Sequence, residues 1–136
     1  MLKQVSIYAE NKRGTMERLT AILAENDINI LGSVTNDSAE YGIIRMIVTD
    51  ADKAVECLTK DGFFCKKTDV LGVEVTDEVG NLNKLLKACD AGNINIDYLY
   101  LSFNRKSGRP IMVFHADDPH EVELCLQAKG FTMTEA

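Results

Sequence analysis

The sequence predicts an α+β protein in which one β-α-β-β-α-β unit is written twice, giving two antiparallel four-stranded sheets, each with its helices on one face. Three observations predict it. The first is self-similarity, which reveals repeat architectures directly. At an offset of 66 residues Gly14 falls on Gly80, Leu19 on Leu85, and Ile28-Asn29-Ile30 on Ile94-Asn95-Ile96. Beyond residue 40 the offset becomes 68: Ile43 falls on Ile111, Asp50 on Asp118, Cys57-Leu58 on Cys125-Leu126 and Gly62-Phe63 on Gly130-Phe131. The second observation is period-two alternation at the start of each copy, and the third is helical spacing of the apolar residues that follow. The copies divide the chain at residues 1–68 and 69–136, with a two-residue insertion in a hairpin of the second, where added length costs least.

Each element follows from its residues. Val5, Ile7 and Ala9 alternate with Ser6, Tyr8 and Glu10, as Leu71, Val73 and Val75 do with Gly72, Glu74 and Thr76, so each copy begins with a strand buried on one face. A turn with glycine leads to a helix whose core face reads Met16, Leu19, Ile22, Leu23 in one copy and Leu82, Leu85, Leu86, Cys89 in the other. Thr15 and Asn81 are the expected N-caps, since their side-chain oxygens can accept from free first-turn amides. Asn26-Asp27 and Gly92-Asn93 break these helices, and second strands run from Ile28 to Thr35 and from Ile94 to Phe103. Third strands span Gly42 to Val48 and Arg109 to His115, the latter after a turn at Asn104 to Gly108. The second helices present Ala51, Ala54, Val55 and Leu58 in one copy and begin at Asp118-Pro119 in the other, a cap followed by proline where its missing amide matters least. Gly62 and Gly130 close them. Short fourth strands, Phe63 to Lys67 and Phe131 to Thr134, finish the copies. A unit of this size is marginal for an independent core, so its bare sheet face and edges call for a partner: the other copy first, then a second chain.

Composition narrows the function. The 136 residues carry 15 basic against 21 acidic side chains, a net charge of -6, which speaks against nucleic acid and against an anionic membrane surface. No apolar run is long enough for a membrane span, and the first residues lack a signal-peptide pattern, which places the chain in the cytoplasm. Cys57, Cys65, Cys89 and Cys125 are widely spaced and contain no C-x-x-C pair; they read as reduced thiols, mostly buried. The sequence has no nucleophile elbow, phosphate-binding loop, dinucleotide fingerprint or H-E-x-x-H, and His115, His120 and Cys125 have the spacing of no known metal site. Neither catalysis, a metal nor a cofactor is expected.

The chemistry concentrates in Glu10-Asn11-Lys12-Arg13-Gly14-Thr15 and Thr76-Asp77-Glu78-Val79-Gly80-Asn81, each joining a first strand to a first helix. A helix start offers unpaired amides to a carboxylate, and Asn11 offers a donor and an acceptor to a zwitterion. The same residues also suit a plain solvated turn. Asn29 and Asn95 stand at strand starts, where asparagine is disfavoured; they either close the helix–strand turn or touch a ligand.

The strings AENKRGTMERLTAILAENDINI and TDEVGNLNKLLKACDAGNINI resemble the signature of the ACT domain, an amino-acid-sensing module of ferredoxin-like fold. The first copy is most similar to the regulatory domain of phosphoglycerate dehydrogenase, and that likeness implies Asn11 and Asn29 as holders of an effector amino acid. Arg13 and Val79 stand where the family often has proline, Met16 where it commonly has leucine, and Asp77 replaces Asn11 in the second copy, so the two sites differ or one is empty. The resemblance further implies that Asn11, Lys12, Arg13, Gly14, Thr15 and Met16 face the second strand of copy two, Asn95 to Tyr98, within the chain or across a dimer, and that Asp77, Val79, Gly80, Asn81 and Leu82 are the matching ligand-binding positions of copy two. Tyr98 and Tyr100 then either wall a pocket or pack in the sheet. Two functions follow: an allosteric regulator that binds a free L-amino acid as a homodimer, or a regulatory subunit of a biosynthetic enzyme such as acetolactate synthase that acts by protein contact alone.

Overall fold

The computed structural model describes residues 1–10, 12–37 and 42–134. The chain forms two compact units, Lys3–Thr68 and Met1–Leu2 with Asp69–Ala136. The first holds β1 (Leu2–Ala9), α1 (Thr15–Glu25), β2 (Ile30–Asp37), β3 (Gly42–Val48), α2 (Ala51–Lys60) and the beginning of β4 (Phe64–Glu74). The second holds the rest of β4, α3 (Asn81–Ala91), β5 (Ile96–Phe103), β6 (Pro110–Ala116), α4 (Pro119–Ala128) and β7 (Thr132–Met133).

In the first unit the strand order is β2-β3-β1-β4, with β3 antiparallel to both β1 and β2. Val5, Ile7 and Ala9 of β1 and Ile44, Met46 and Val48 of β3 meet Leu19, Ile22 and Leu23 of α1 and Ala54 and Leu58 of α2, so both helices cover the same sheet face. Each such side chain, taken fully from water, contributes about 1.5–3 kcal/mol. The second unit repeats the plan: β6 pairs antiparallel with β4 and β5, β7 pairs with β4, and Leu71, Val73, Met112 and Phe114 pack with Leu85, Cys89, Val122 and Leu126. Each unit is the ferredoxin-like β-α-β-β-α-β arrangement that the duplicated pattern predicts.

All four described helices end alike. The second residue past each C-cap donates its amide back to a carbonyl of the last turn: Ile28 to Leu23 (2.9 Å), Phe63 to Leu58 (3.0 Å), Ile94 to Cys89 (2.8 Å) and Phe131 to Leu126 (3.1 Å). This is the Schellman closure, with its apolar residue in the second outer position. It explains why β2 and β5 begin at Ile30 and Ile96, two residues later than alternation suggests. Asp27 and Asn93 sit in the left-handed region at φ 59° and 55°, so Ile28-Asn29 and Ile94-Asn95 belong to the helix exit.

Other expectations need correction. The N-caps are Gly14 and Gly80, at φ 89° and 90°, with Thr15 and Asn81 as first helical residues, and neither helix has a side-chain cap. Met16, Leu82 and Leu86 are 42%, 41% and 38% exposed: they lie at the rim of the core stripe, which Leu19, Ile22, Leu23, Leu85 and Cys89 fill. Phe63–Lys67 and the strand around Leu71 are parts of one strand, β4, because no glycine, proline or turn dipeptide interrupts Lys67 to Val70, Asp69 alone being too weak a break. Asp118 occupies the cap position of α4 but at φ 51°, without bonding an amide through its side chain. Of the four thiols only Cys89 is buried; Cys57, Cys65 and Cys125 are half-buried, and all four are free.

Candidate functional site

The β1–α1 turn is built by short backbone bonds. Lys12 N–H donates to Glu10 O (3.0 Å), Thr15 N–H to Lys12 O (3.3 Å) and Arg18 N–H to Gly14 O (3.0 Å). The β4–α3 turn repeats them: Glu78 to Thr76 (3.0 Å), Asn81 to Glu78 (3.3 Å) and Lys84 to Gly80 (2.9 Å). Only a residue tolerant of positive φ brings the chain round at Gly14 and Gly80. Among the described residues no side chain caps α1; with the Thr15 amide bonded to Lys12, the next first-turn amides, of Met16 and Glu17, lie at the positive end of the helix dipole.

Side chains set the two turns apart. The first carries Lys12, Arg13 and, one helical turn on, Arg18; Glu10 lies 3.5 Å from Lys12, and both side chains are largely exposed, so the pair is weak. The second carries Asp77, Glu78, a fully exposed Val79 and, one helical turn on, Lys84. There Asn81 donates from Nδ2 to the Thr76 carbonyl and to its hydroxyl (2.9 Å), so its amide is spent inside the turn. Asn11, expected to be a central ligand residue, lies outside the described residues.

Two recesses flank the first turn. A small one, of about 50 Å³, lies between Thr15 and Met16 of α1 and the strand ends at Ala9, Thr35, Asn36, Gly42 and Ile44, with Glu10 and Lys12 at its rim. At ~10–15 Å³ per water it holds roughly three to five, the size of an amino-acid head group without its side chain. A larger cleft, of about 520 Å³, opens on the β4 side between Tyr8, Lys12, Arg13, Arg18, Phe63 and Phe64. Thr35, Asn36, Tyr8, Arg18, Phe63 and Phe64 were not expected at the site from sequence. Tyr8 could have been found as the outward position of an alternating strand, whereas Phe64 sits on a strand whose pattern gives no sign of a site.

The register keeps the asparagines away from the turns of their own units. Ala9 and Asp37 both stand opposite Gly42, whereas Ile30, just after Asn29, stands opposite Val48. Six residue steps, roughly 20 Å, separate those ends. Asn29 is exposed, and its backbone closes the helix–strand turn with Thr49: Asn29 N–H to Oγ1 (3.0 Å) and Thr49 N–H to Asn29 O (3.0 Å). Asn95 is likewise remote from Gly80; it lines a separate cleft of about 310 Å³ with Asn93, Asp117, Asp118, Glu121 and Cys125. Tyr98 stacks on His115 (centroids 5.5 Å apart), whose Nδ1 meets Asp97 at 2.6 Å, and Tyr100 is buried opposite Val113. Within one unit, therefore, neither asparagine reaches the turn.

Among the described residues no three His, Cys, Asp or Glu side chains are placed to hold a metal ion, and no helix is long and apolar enough to cross a membrane.

No curated protein sequence matches the chain. Among solved structures, protein BT0572 from Bacteroides thetaiotaomicron is 31% identical, with a TM-score of 0.89 over 98% of this chain and 91% of that one. The regulatory subunits of aspartate kinase from Thermus thermophilus, in its ligand-free form, and from Thermus flavus share the fold. They are 15% and 20% identical, with TM-scores of 0.67 and 0.65, over 93% of this chain and 90% and 88% of theirs. The family described as ACT domain pair matches residues 1–133. With the duplicated turns, the paired β-α-β-β-α-β units and a match along nearly its whole length, the chain belongs to the ACT domain pair family.

Proposed function

We propose that the protein is an allosteric regulator that binds a free L-amino acid at the β1–α1 turn of its first unit. The observation that carries this reading is the small recess against the uncapped start of α1. A carboxylate there meets first-turn amides and the helix dipole, each such contact being worth about 0.3–1 kcal/mol when exposed. An ammonium finds Glu10 and the Asn36 amide oxygen. The amino-acid side chain leaves the recess toward the β2 edge, where a second copy delivers Asn29 or Asn95. Family membership supports this reading, as does the regulatory role named for the Thermus aspartate kinase subunits.

The test is a thermal-shift screen against the twenty amino acids at millimolar concentration. A ligand at 100 times its Kd adds about 2.7 kcal/mol, a rise of several degrees for domains of this size. If no amino acid moves the midpoint, the reading fails.

A second reading, association through protein contact, is favoured by a specific feature of the second unit. Leu82, Leu86, Leu101 and Phe103 are 41%, 38%, 51% and 46% exposed, and β5 lies at the end of the strand order. In the first unit, Met16 and Thr35 share one recess; the corresponding positions here are Leu82 and Leu101, which makes the strip more apolar. A homodimer through this strip supplies the second copy that the amino-acid site needs; a biosynthetic enzyme is the alternative occupant. Sedimentation equilibrium of the wild type and of Leu101→Glu tests it: a dimer that becomes monomeric supports the homodimer, and a wild-type monomer refutes it.

A further inference from the structure

The large cleft on the β4 side of the first turn shares Ala9, Glu10, Lys12 and Thr15 with the amino-acid recess but extends over Tyr8, Arg18, Phe63 and Phe64, and has a different chemistry. Its floor and walls are aromatic. Phe63 is buried, with the Arg18 guanidinium 4.6 Å over its ring. Phe64 is 71% exposed, although it stands on a strand in a well-packed unit, and its ring lies 5.5 Å from that of Tyr8 at a tilt of 56°. Lys66 Nζ stands over the Tyr8 ring, 5.9 Å from its centroid. Around this aromatic surface stand Lys12, Arg13 and Arg18, and Glu10 is the one carboxylate among the described lining residues. In a chain of net charge -6 this is a local reversal of sign. A concave site focuses such a field on a small anion, and about 520 Å³ lies within the ~300–1,000 Å³ usual for small-molecule sites.

We propose that this cleft is a second ligand site, for a small anion that carries a planar ring. The ring stacks on the exposed Phe64 and on Tyr8 beside it. The anionic group meets Arg18, Lys12 and Arg13, with Arg18 already held in place by Phe63. A bare anion gains only the exposed cations, and a bare ring only the stack, so the joined ligand binds better than either part. Two sources share this chemistry, a nucleoside monophosphate and an aromatic carboxylate. The proposal does not depend on amino-acid binding at the recess by Thr35 and Asn36.

The experiment is titration of the ¹⁵N-labelled full chain by amide NMR with AMP, indole-3-acetate, adenosine and inorganic phosphate in separate series. Saturable shifts of the amides of residues 12–18 and 62–66 with AMP or indole-3-acetate are expected, and whichever binds tighter identifies the source. Adenosine and phosphate alone are expected to bind at least about tenfold more weakly. Phe64→Ala removes an exposed ring and leaves no core cavity, so the variant keeps its fold, and it is expected to weaken binding about tenfold, the scale of one stacking contact. Arg18→Gln is expected to do the same. The proposal is overturned if neither AMP nor indole-3-acetate shifts these amides at 10 mM, if phosphate alone binds as tightly, or if Phe64→Ala binds as the wild type does. Amino acids that shift Thr35 and Asn36 while AMP leaves residues 62–66 unmoved would sink this site and leave the regulator reading standing.

Discussion

Replacing Gly14 by alanine isolates the contribution of one backbone conformation to the candidate site. Gly14 has φ +89°, and a Cβ built there meets nothing within 4 Å, so the cost of a side chain is conformational and not steric. An L-residue in the left-handed region loses about 1–2 kcal/mol. Alanine recovers about 0.4–1 kcal/mol by restricting the unfolded chain, which leaves a net loss of about 1 kcal/mol in the unit that holds the turn. With a urea m-value of about 1–3 kcal/mol/M, the midpoint of that unit falls by about 0.5 M at unchanged m. Urea titrations followed by far-ultraviolet circular dichroism read this directly. Gly14→Asn should lose less, because asparagine tolerates positive φ better than other side chains. An alanine variant as stable as the wild type, or an asparagine variant that loses more than alanine does, would falsify the view that left-handed geometry sets the start of α1.

Gly72 offers the opposite case: a Cβ there would approach Leu2 Cδ1 and Thr134 Cγ2 to 2.6 Å each, so Gly72→Ala should cost about 1–3 kcal/mol by overpacking. Trimming the neighbour in Leu2→Ala should recover part of that loss in a double-mutant cycle; simple additivity would count against the contact. Burial raises the pKa of the Cys89 thiol from its ordinary 9.0, with Lys129 opposing the rise more weakly. The unfolded chain then releases this proton first, so the stabilisation is complete below about pH 9 and is lost as pH climbs beyond it. Unfolding free energies between pH 8 and 10.5 should fall more steeply for the wild type than for Cys89→Ala, and equal slopes would refute the assignment. For amino-acid binding, Asn11→Ala should weaken affinity more than Asp77→Ala, as read by calorimetry; equal losses would remove the first turn as the main site.

The fold was legible because duplication let each pattern be read twice. Val5, Ile7, Ala9, Leu71 and Val73 are buried as alternation predicts, and Val75 partly so. Gln4, Ser6 and Gly72 on the opposite face are buried too, so these strands are not covered on one face alone as expected. What escaped the sequence was decided by geometry at element ends. Thr15 and Asn81 have the chemistry of N-caps, yet the left-handed glycines before them take that position. The Ile-Asn-Ile strings look like strand starts because they are apolar, but their first isoleucine closes a Schellman turn instead. At the site, residue type pointed to the turns, and the structure does place Lys12, Arg13, Gly14 and Thr15 around shared recesses. Proximity could not be read in the same way. The strand register, which alone separates Asn29 from Gly14, depends on how β1, β2 and β3 align. Phe64 was hidden for a similar reason, since an aromatic on a strand usually packs inward.

The two turns share a backbone and differ in charge, and that difference bears on how many ligands one chain takes up. A carboxylate at the start of α1 meets Lys12, Arg13 and Arg18 against Glu10 and Glu17, a balance of +1, whereas one at the start of α3 meets Asp77 and Glu78 against Lys84, a balance of -1. For charges roughly 6 Å apart, a single like pair costs about 0.7 kcal/mol at the dielectric of water and about 2.8 kcal/mol at an effective value of 20. Exposure of these side chains puts the turns near the watery limit, so repulsion at one and attraction at the other separate them by about 1–2 kcal/mol, roughly tenfold in affinity. Asn81 adds to the difference, because its amide already donates to Thr76 and must break those bonds to turn toward a ligand. One amino acid per chain is therefore the expected stoichiometry by calorimetry, with a second event only at about tenfold higher concentration; added salt should narrow that gap, weakening the first site, where attraction is screened, and relieving repulsion at the second. Charge reversal at the second turn through Asp77→Asn with Glu78→Lys should bring the two affinities together. If that double variant still binds one ligand per chain, charge is not what distinguishes the turns, and the Asn81 lock is left as the cause.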